Sequence, residues 1–347
     1  MQMISRRRFT QAIAATGVAG SALTASATSA AASATTRTPG ADLRAGAGEH
    51  TSLGPIKRVK AGVLETAYAE FGPRTGQPVV LLHGWPYDAH SYVDVAPILA
   101  AAGYRVIVPF LRGYGQTRFR SSRTFRNGQQ SAVALDIIAL MDALDIDQAV
   151  LGGFDWGART VGVIAALWPE RCKAIVSVSG YLVTSLEKNL EPLPPAAELG
   201  WWYQYYFATE RGVKGYQQNW YTFNDLIWKI VSPLWKYDAA TYARTAASFD
   251  NPDHVAIVIH NYRWRLSLAE GERQYDRYER KLAAGPAIGV PAITIGSDFD
   301  GAAADGSGYR DKFTGKYEHR VFEGIGHNVP QEAPKAFAQA VIDADRL

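Results

Sequence analysis

The chain has 347 residues, 47% of them hydrophobic and 20% charged, enough to bury a large core as one α/β domain with an insertion or as two smaller domains. Its formal charge of +3 traces to Arg6, Arg7 and Arg8, because residues 1–34 hold no acidic residue and the remainder is formally neutral. A neutral remainder sets up no global field for nucleic acid or anionic membranes. The single cysteine, Cys172, excludes an intrachain disulfide and gives no support to a structural zinc site.

The N-terminus reads Ser5-Arg6-Arg7-Arg8-Phe9, then a mildly apolar stretch and a small-residue region, a pattern similar to a twin-arginine export signal over residues 1–34. Read that way, the precursor has the twin-arginine machinery as a partner and the mature chain is periplasmic or secreted. No apolar run is long enough for a stable membrane span. Residues 35–50, rich in Ala, Gly and Thr without apolar periodicity, are expected to form a flexible leader. Residues 56–59 and 64–71 read as an antiparallel strand pair. Short β-branched runs at 79–82 and 106–108 have the character of buried parallel strands. Apolar residues at helical spacing, Val133, Ile137, Leu140, Met141 and Leu144, predict a helix over 129–144. Strands at 149–152 and 174–178 flank a helix at 158–168, and this alternation predicts a mostly parallel sheet covered by helices. The pattern stops near Thr184. From 184 to 271 the chain is crowded with aromatics and has no clear buried strand, which reads as a helical lid between two core segments, 51–183 and 272–347. Strands resume at 292–295 and 317–322, and a closing helix is expected over 333–342.

The chemistry centres on Gly153-Phe154-Asp155-Trp156-Gly157, which follows a predicted strand and opens a helix. This is the outline of the nucleophile elbow, G-x-S-x-G, with aspartate in place of serine. A carboxylate is already anionic at neutral pH, so it attacks an electrophilic sp3 carbon without a base, and the resulting ester must be opened by water. That second step needs three kinds of help. Backbone N–H groups of Trp156 and of Trp85, in the loop His83-Gly84-Trp85-Pro86 after the strand at 79–82, are the candidate oxyanion donors. His327, between the last strand and the last helix, is the candidate base for water. Asp298, at the end of the strand at 292–295, is the first candidate for the acid that orients it, with Asp300 and Asp305 as rivals in the same loop.

The His-Gly-Trp-Pro, Phe-Asp-Trp-Gly and Gly326-His327 segments together resemble the α/β-hydrolase superfamily, and within it the soluble-type epoxide hydrolases. The resemblance covers the chain from about residue 56 onward. It implies hydrolysis of an epoxide, expected to be apolar, to a vicinal diol through an aspartyl ester, with no metal or organic cofactor. It also implies two lid tyrosines that hydrogen-bond the epoxide oxygen: Tyr203, in Tyr203-Gln204-Tyr205-Tyr206-Phe207, and Tyr262, which Arg263 follows. Two positions depart from that family. Phe110 stands where an aspartate is usual, and Arg159 lines up with one of two carboxylate-gripping arginines of fluoroacetate dehalogenases. A haloacid or haloalkane dehalogenase, and a non-catalytic ligand-binding homologue, are the alternative readings.

Overall fold

The short β-branched runs are where the molecule is driest. In the computed structural model, which describes residues 35–39 and 43–347, every residue of Arg105–Pro109, Ala149–Gly153 and Ala292–Ser297 is buried. Covered on both faces, such strands need no alternation of polar and apolar side chains. The strands are β1 (Thr35–Thr38), β2 (Lys57–Ala61), β3 (Leu64–Phe71), β4 (Pro78–Leu82), β5 (Arg105–Pro109), β6 (Arg118–Phe119), β7 (Ala149–Gly153), β8 (Cys172–Val178), β9 (Ala292–Ser297) and β10 (Tyr317–Phe322). They form one sheet in the order β1-β10-β9-β8-β7-β4-β5-β3-β2, with β6 paired to β3. The pairs from β1 to β5 along this order are parallel, and β3 joins β5, β2 and β6 antiparallel.

Helices flank the sheet. Helices α1 (Val95–Ala101), α2 (Gln130–Ala143) and α3 (Trp156–Leu167) precede the aromatic region. That region holds α4 (Pro195–Gly200), α5 (Trp202–Ala208), α6 (Glu210–Val231), α7 (Ala239–Ala246) and α8 (His254–Arg265). Helix α9 (Asp276–Ala283) leads back to β9, and α10 (Pro334–Arg346) closes the chain. Helices α2 and α3 pack on each other, and α10 packs on α1 and β8. Among the described residues no strand lies between β8 and β9, and no helix is long and apolar enough to cross a membrane.

The flexible leader expected over 35–50 is corrected. Thr35–Thr38 adds an edge strand, pairing parallel with β10 from Thr35↔His319 to Thr38↔Phe322. Leu43 is buried, and the buried Asp94 carboxylate accepts hydrogen bonds from Gly48 N and His50 N at 2.7 Å each. These polar contacts with distant residues leave no trace in local periodicity. The expected helix at 158–168 begins two residues earlier, directly after Asp155. The export-signal reading falls on residues 1–34, outside the described residues.

Candidate active site

Strand β7 ends at Gly153 and α3 starts at Trp156, so Asp155 must turn the chain within two residues. It does so at φ 53° and ψ −121°, a region that costs a non-glycine residue about 1–3 kcal/mol and is found mainly at functional sites. The neighbouring glycines make this possible. A Cβ on Gly157 would lie 1.9 Å from Leu82 O, so only glycine lets α3 approach β4. A Cβ on Gly84 would lie 2.3 Å from Cβ of Asp155, so only glycine lets the β4 loop pass over the carboxylate.

That close passage aims Trp85 N–H at Asp155, donating to Oδ1 at 2.7 Å. Trp156 is the first residue of α3, where helix geometry leaves an N–H without an intrahelical acceptor. His83 locks the loop. Its Nε2 accepts from Leu111 N at 3.1 Å, so its Nδ1 carries the proton that faces Gly84 O at 3.1 Å. Burial lowers the His83 imidazole to about 4, so this ring is a neutral structural member. Trp85 is held from its other end by a buried chain in which its Nε1 donates to Tyr216 OH and that hydroxyl meets His254 Nε2, both at 2.9 Å.

His327 Nε2 lies 3.4 Å from Asp155 Oδ2, the oxygen that Trp85 does not hold. The histidine loop is braced from the lid side of the chain. His327 N donates to Ser232 Oγ at 2.9 Å, Ser232 Oγ donates to Glu332 Oε1 at 2.7 Å, and Gly326 N donates to Glu332 Oε2 at 2.9 Å. Burial pushes the Glu332 carboxyl up, and these hydrogen bonds offset it only in part. Burial also pushes Asp155 up. There the His327 hydrogen bond and charge, the Arg159 guanidinium and the Trp85 N–H win, and its pKa falls below the ordinary 3.8.

Asp298 is corrected as the orienting acid. It is exposed, and its Oδ1 accepts from Gly324 N at 2.9 Å instead of facing the imidazole. The tight turn after β9 splits its side chains. Asp298 points outward, Phe299 meets the His327 ring at 4.2 Å between centroids, and Asp300 folds back to accept from Ser297 N at 3.0 Å. Asp300, with Asp155 and His327, lines the cleft; burial pushes its carboxyl up, and hydrogen bonds from Ser179 and Ser297 and the nearby His327 offset this only in part. His327 Nδ1 is buried without a hydrogen-bond partner. Asp305 bonds Ser307 at the protein surface.

Both lid tyrosines come to this site. Tyr203 on α5 and Tyr262 on α8 are buried, their rings 5.3 Å apart, within hydrogen-bonding reach of each other and close enough to feel the Asp155 charge. They pack on the Trp85 ring, at 5.1 and 5.2 Å between centroids, rather than along the cleft wall. Burial raises both phenols above 10, which keeps them protonated as donors. Arg263, the residue after Tyr262, faces away and ties α8 to Phe207 O of α5 at 3.0 Å.

The cleft has a volume of about 380 Å³ and its wall includes two arginines, Arg159 and Arg265. Sequence reasoning noted the first and missed the second. The available signal was helical spacing, since Arg265 sits one turn beyond Tyr262 on α8. Ser232 and Glu332 were also missed, because only the fold brings them to the histidine loop.

A match to the family described as the alpha/beta hydrolase fold covers residues 77–219. Epoxide hydrolase B of Mycobacterium tuberculosis is 34% identical over 154 residues, 40% of this chain and 42% of its own. A haloalkane dehalogenase of Psychrobacter cryohalolentis is 35% identical over 121 residues, 35% of this chain and 39% of its own. The chain thus spans about two fifths of the length of the curated relatives it matches. A crystal structure from Klebsiella pneumoniae, described as a candidate epoxide hydrolase, is 60% identical with a TM-score of 0.83, covering 84% of this chain and 97% of that one. With an Asp-bearing elbow on a mostly parallel sheet and a full-length relative of that identity, the chain belongs to the α/β-hydrolase superfamily as an epoxide-hydrolase-like member.

Proposed function

We propose that this protein is a hydrolase that opens an epoxide to a vicinal diol through an ester on Asp155. The observation that carries this reading is the division of labour between the two carboxylate oxygens. Oδ1 already sits on the Trp85 N–H, while Oδ2 faces the cleft beside His327 Nε2. Oδ2 bonds the ring carbon, the carbon–oxygen bond breaks, and its electron pair goes to the epoxide oxygen, which takes a proton from Tyr203 or Tyr262. Oδ1 then becomes the ester carbonyl oxygen, in place on its donor before charge develops there. Preorganised donors of this kind are worth about 2.7–4 kcal/mol each in rate. Water attacks the ester carbonyl carbon and His327 removes its proton. Collapse expels the diol oxygen, and protons return to it and to the tyrosine, so epoxide plus water gives diol. Asp155 is esterified when His327 takes the proton, so the imidazolium formed then is countered by Asp300, which takes the supporting role expected of Asp298. The epoxide-hydrolase names of the relatives support the same reaction class.

The test is diol formation across a panel of epoxides by the wild type and by Asp155→Asn. Turnover by the wild type alone supports the reading; diol formation that survives the substitution refutes the nucleophile. Export is proposed from the Arg6-Arg7 pair, and accumulation of a cytoplasmic precursor on changing both to lysine would support it. Normal export of that variant would count against it.

A further inference from the structure

The loop that aims a backbone N–H at Asp155 is gripped from the lid at two consecutive residues. Trp85 Nε1 donates to Tyr216 OH of α6 at 2.9 Å, and Trp228 Nε1, further along the same helix, donates to Pro86 O at 2.8 Å. The Tyr216 hydroxyl stands 2.9 Å from His254 Nε2 at the start of α8, and His254 Nδ1 stands 3.0 Å from Gly113 O, in the loop after β5. Trp85, Tyr216 and His254 are all buried.

This chain has a direction. A carbonyl oxygen only accepts, so His254 Nδ1 carries the ring proton. Burial pushes the His254 imidazole down to about 3, which leaves Nε2 bare at neutral pH. The Tyr216 hydroxyl therefore donates to His254 and keeps its oxygen for the Trp85 indole, and burial raises that phenol so that it stays protonated. The Asn224 amide oxygen lies 3.2 Å from the same hydroxyl. Buried polar groups are costly unless they are matched. Apolar side chains would fill this space at less cost, but dispersion contacts are far less directional than hydrogen bonds and would not fix the rotation of an indole. That rotation bears on the chemistry twice. The backbone N–H of Trp85 holds Asp155 Oδ1 at 2.7 Å, and its ring carries Tyr203 and Tyr262 at 5.1 and 5.2 Å between centroids.

We infer that Tyr216 and His254 are positioning residues for both steps of the reaction: from the lid they fix the Trp85 indole, and through it the N–H on Asp155 Oδ1 and the ring against which Tyr203 and Tyr262 stand. This rests on the epoxide reading of the same site and deepens it. Neither residue touches the substrate. The lid thereby sets the oxyanion donor of the core, so that nucleophile, donor and both tyrosines are aligned by one buried ring.

The experiment measures single-turnover ester formation and ester hydrolysis with styrene oxide, cyclohexene oxide and 1,2-epoxyhexane in the wild type, Tyr216→Phe, Trp85→Phe and the double variant. Tyr216→Phe deletes the oxygen that holds the indole. A misplacement of about 1 Å costs on the order of 100-fold, so both steps should slow by about 10- to 100-fold. KM should stay nearly constant, because these donors act mainly in the transition state. A slowed burst marks this side of the site, since the Ser232 brace acts on hydrolysis alone. Trp85→Phe cuts the same hydrogen bond from its other end and should slow the burst by a similar factor. Adding Tyr216→Phe to it should cost at most about 2-fold more, because Tyr216 reaches the carboxylate only through the indole. The Trp85 indole N–H resonance, identified by its loss in Trp85→Phe, should move upfield in Tyr216→Phe. Should Tyr216→Phe prove insoluble, Trp85→Phe, which orphans no indole N–H, decides the matter by its burst rate. Wild-type burst rates in the folded single variants, or losses that multiply in the double variant, overturn the positioning role and leave epoxide hydrolysis standing. Alkylation of Asp155 by chloroacetate and by none of the epoxides overturns the epoxide reading, and the same rate ratios taken with chloroacetate then decide the positioning role.

Discussion

Ser232→Ala separates the two halves of the proposed reaction. The hydroxyl it removes donates to the buried Glu332 carboxylate at 2.7 Å and accepts from His327 N at 2.9 Å. Loss of a hydrogen bond to a charged group costs about 1.5–3 kcal/mol and loss of a neutral one about 0.5–1.5 kcal/mol. Val231 O, 3.2 Å from His327 N, recovers part of the second. The expected destabilisation is about 2–4 kcal/mol, a fall in Tm of about 3–5 °C for a chain of this size. The carboxylate keeps Trp85 N–H, so ester formation should proceed nearly as before. His327 loses its brace, and a displacement of about 1 Å costs on the order of 100-fold in a step that depends on it. Rapid-quench single turnover should show an undiminished burst of alkylated enzyme followed by ester hydrolysis slowed about 10- to 100-fold, with kcat and KM falling together. A lower Tm with an unchanged hydrolysis rate would reduce the Ser232–Glu332 pair to a structural contact and refute the positioning argument.

Other outcomes follow from the same geometry. Gly157→Ala sets a Cβ 1.9 Å from Leu82 O; a loss of more than about 4 kcal/mol is expected, read as insoluble protein or a collapsed urea midpoint, and a well-folded variant would contradict the close α3–β4 approach. Tyr203→Phe and Tyr262→Phe each remove a donor to the opening ring, so kcat/KM on epoxides should fall by about 10- to 10⁴-fold while Tm moves little; unchanged kinetics in both would remove the tyrosines from the mechanism. The pH profile has a definite sign. Asp155 is held below the ordinary 3.8, so it is an anion throughout the neutral range, and the rate of ester formation should decline only as pH falls below about 4. Tyr203 and Tyr262 are both raised above 10 and remain donors up to that pH. An acid limb of the burst rate near neutrality would contradict the assignment.

The parts of the site legible in the sequence are those whose chemistry is local. The elbow is written in Gly153 to Gly157 because one turn must satisfy steric limits within five residues, and β4 announces the Trp85 loop by running straight into it. Parallel buried strands were readable because burial on both faces enforces β-branched runs. Asp298 shows where that legibility ends. Three carboxylates, Asp298, Asp300 and Asp305, occupy one loop, and which one faces inward depends on a tight turn that sends Phe299, not Asp298, against His327. The edge strand Thr35–Thr38 escaped for a different reason: its parallel pairing with β10 depends on a segment nearly 300 residues away, and its own side chains are polar. Arg265 and Ser232 likewise acquire meaning only once the lid helices are folded over the sheet.

The most direct measurement is intact-mass and peptide analysis of His327→Gln after mixing with epoxide. With the base for water removed, the account expects a stable adduct of the full substrate mass on the peptide carrying Asp155, absent when Asp155→Asn is added. Diol formation by His327→Gln at the wild-type rate, or an adduct on any other residue, would contradict it.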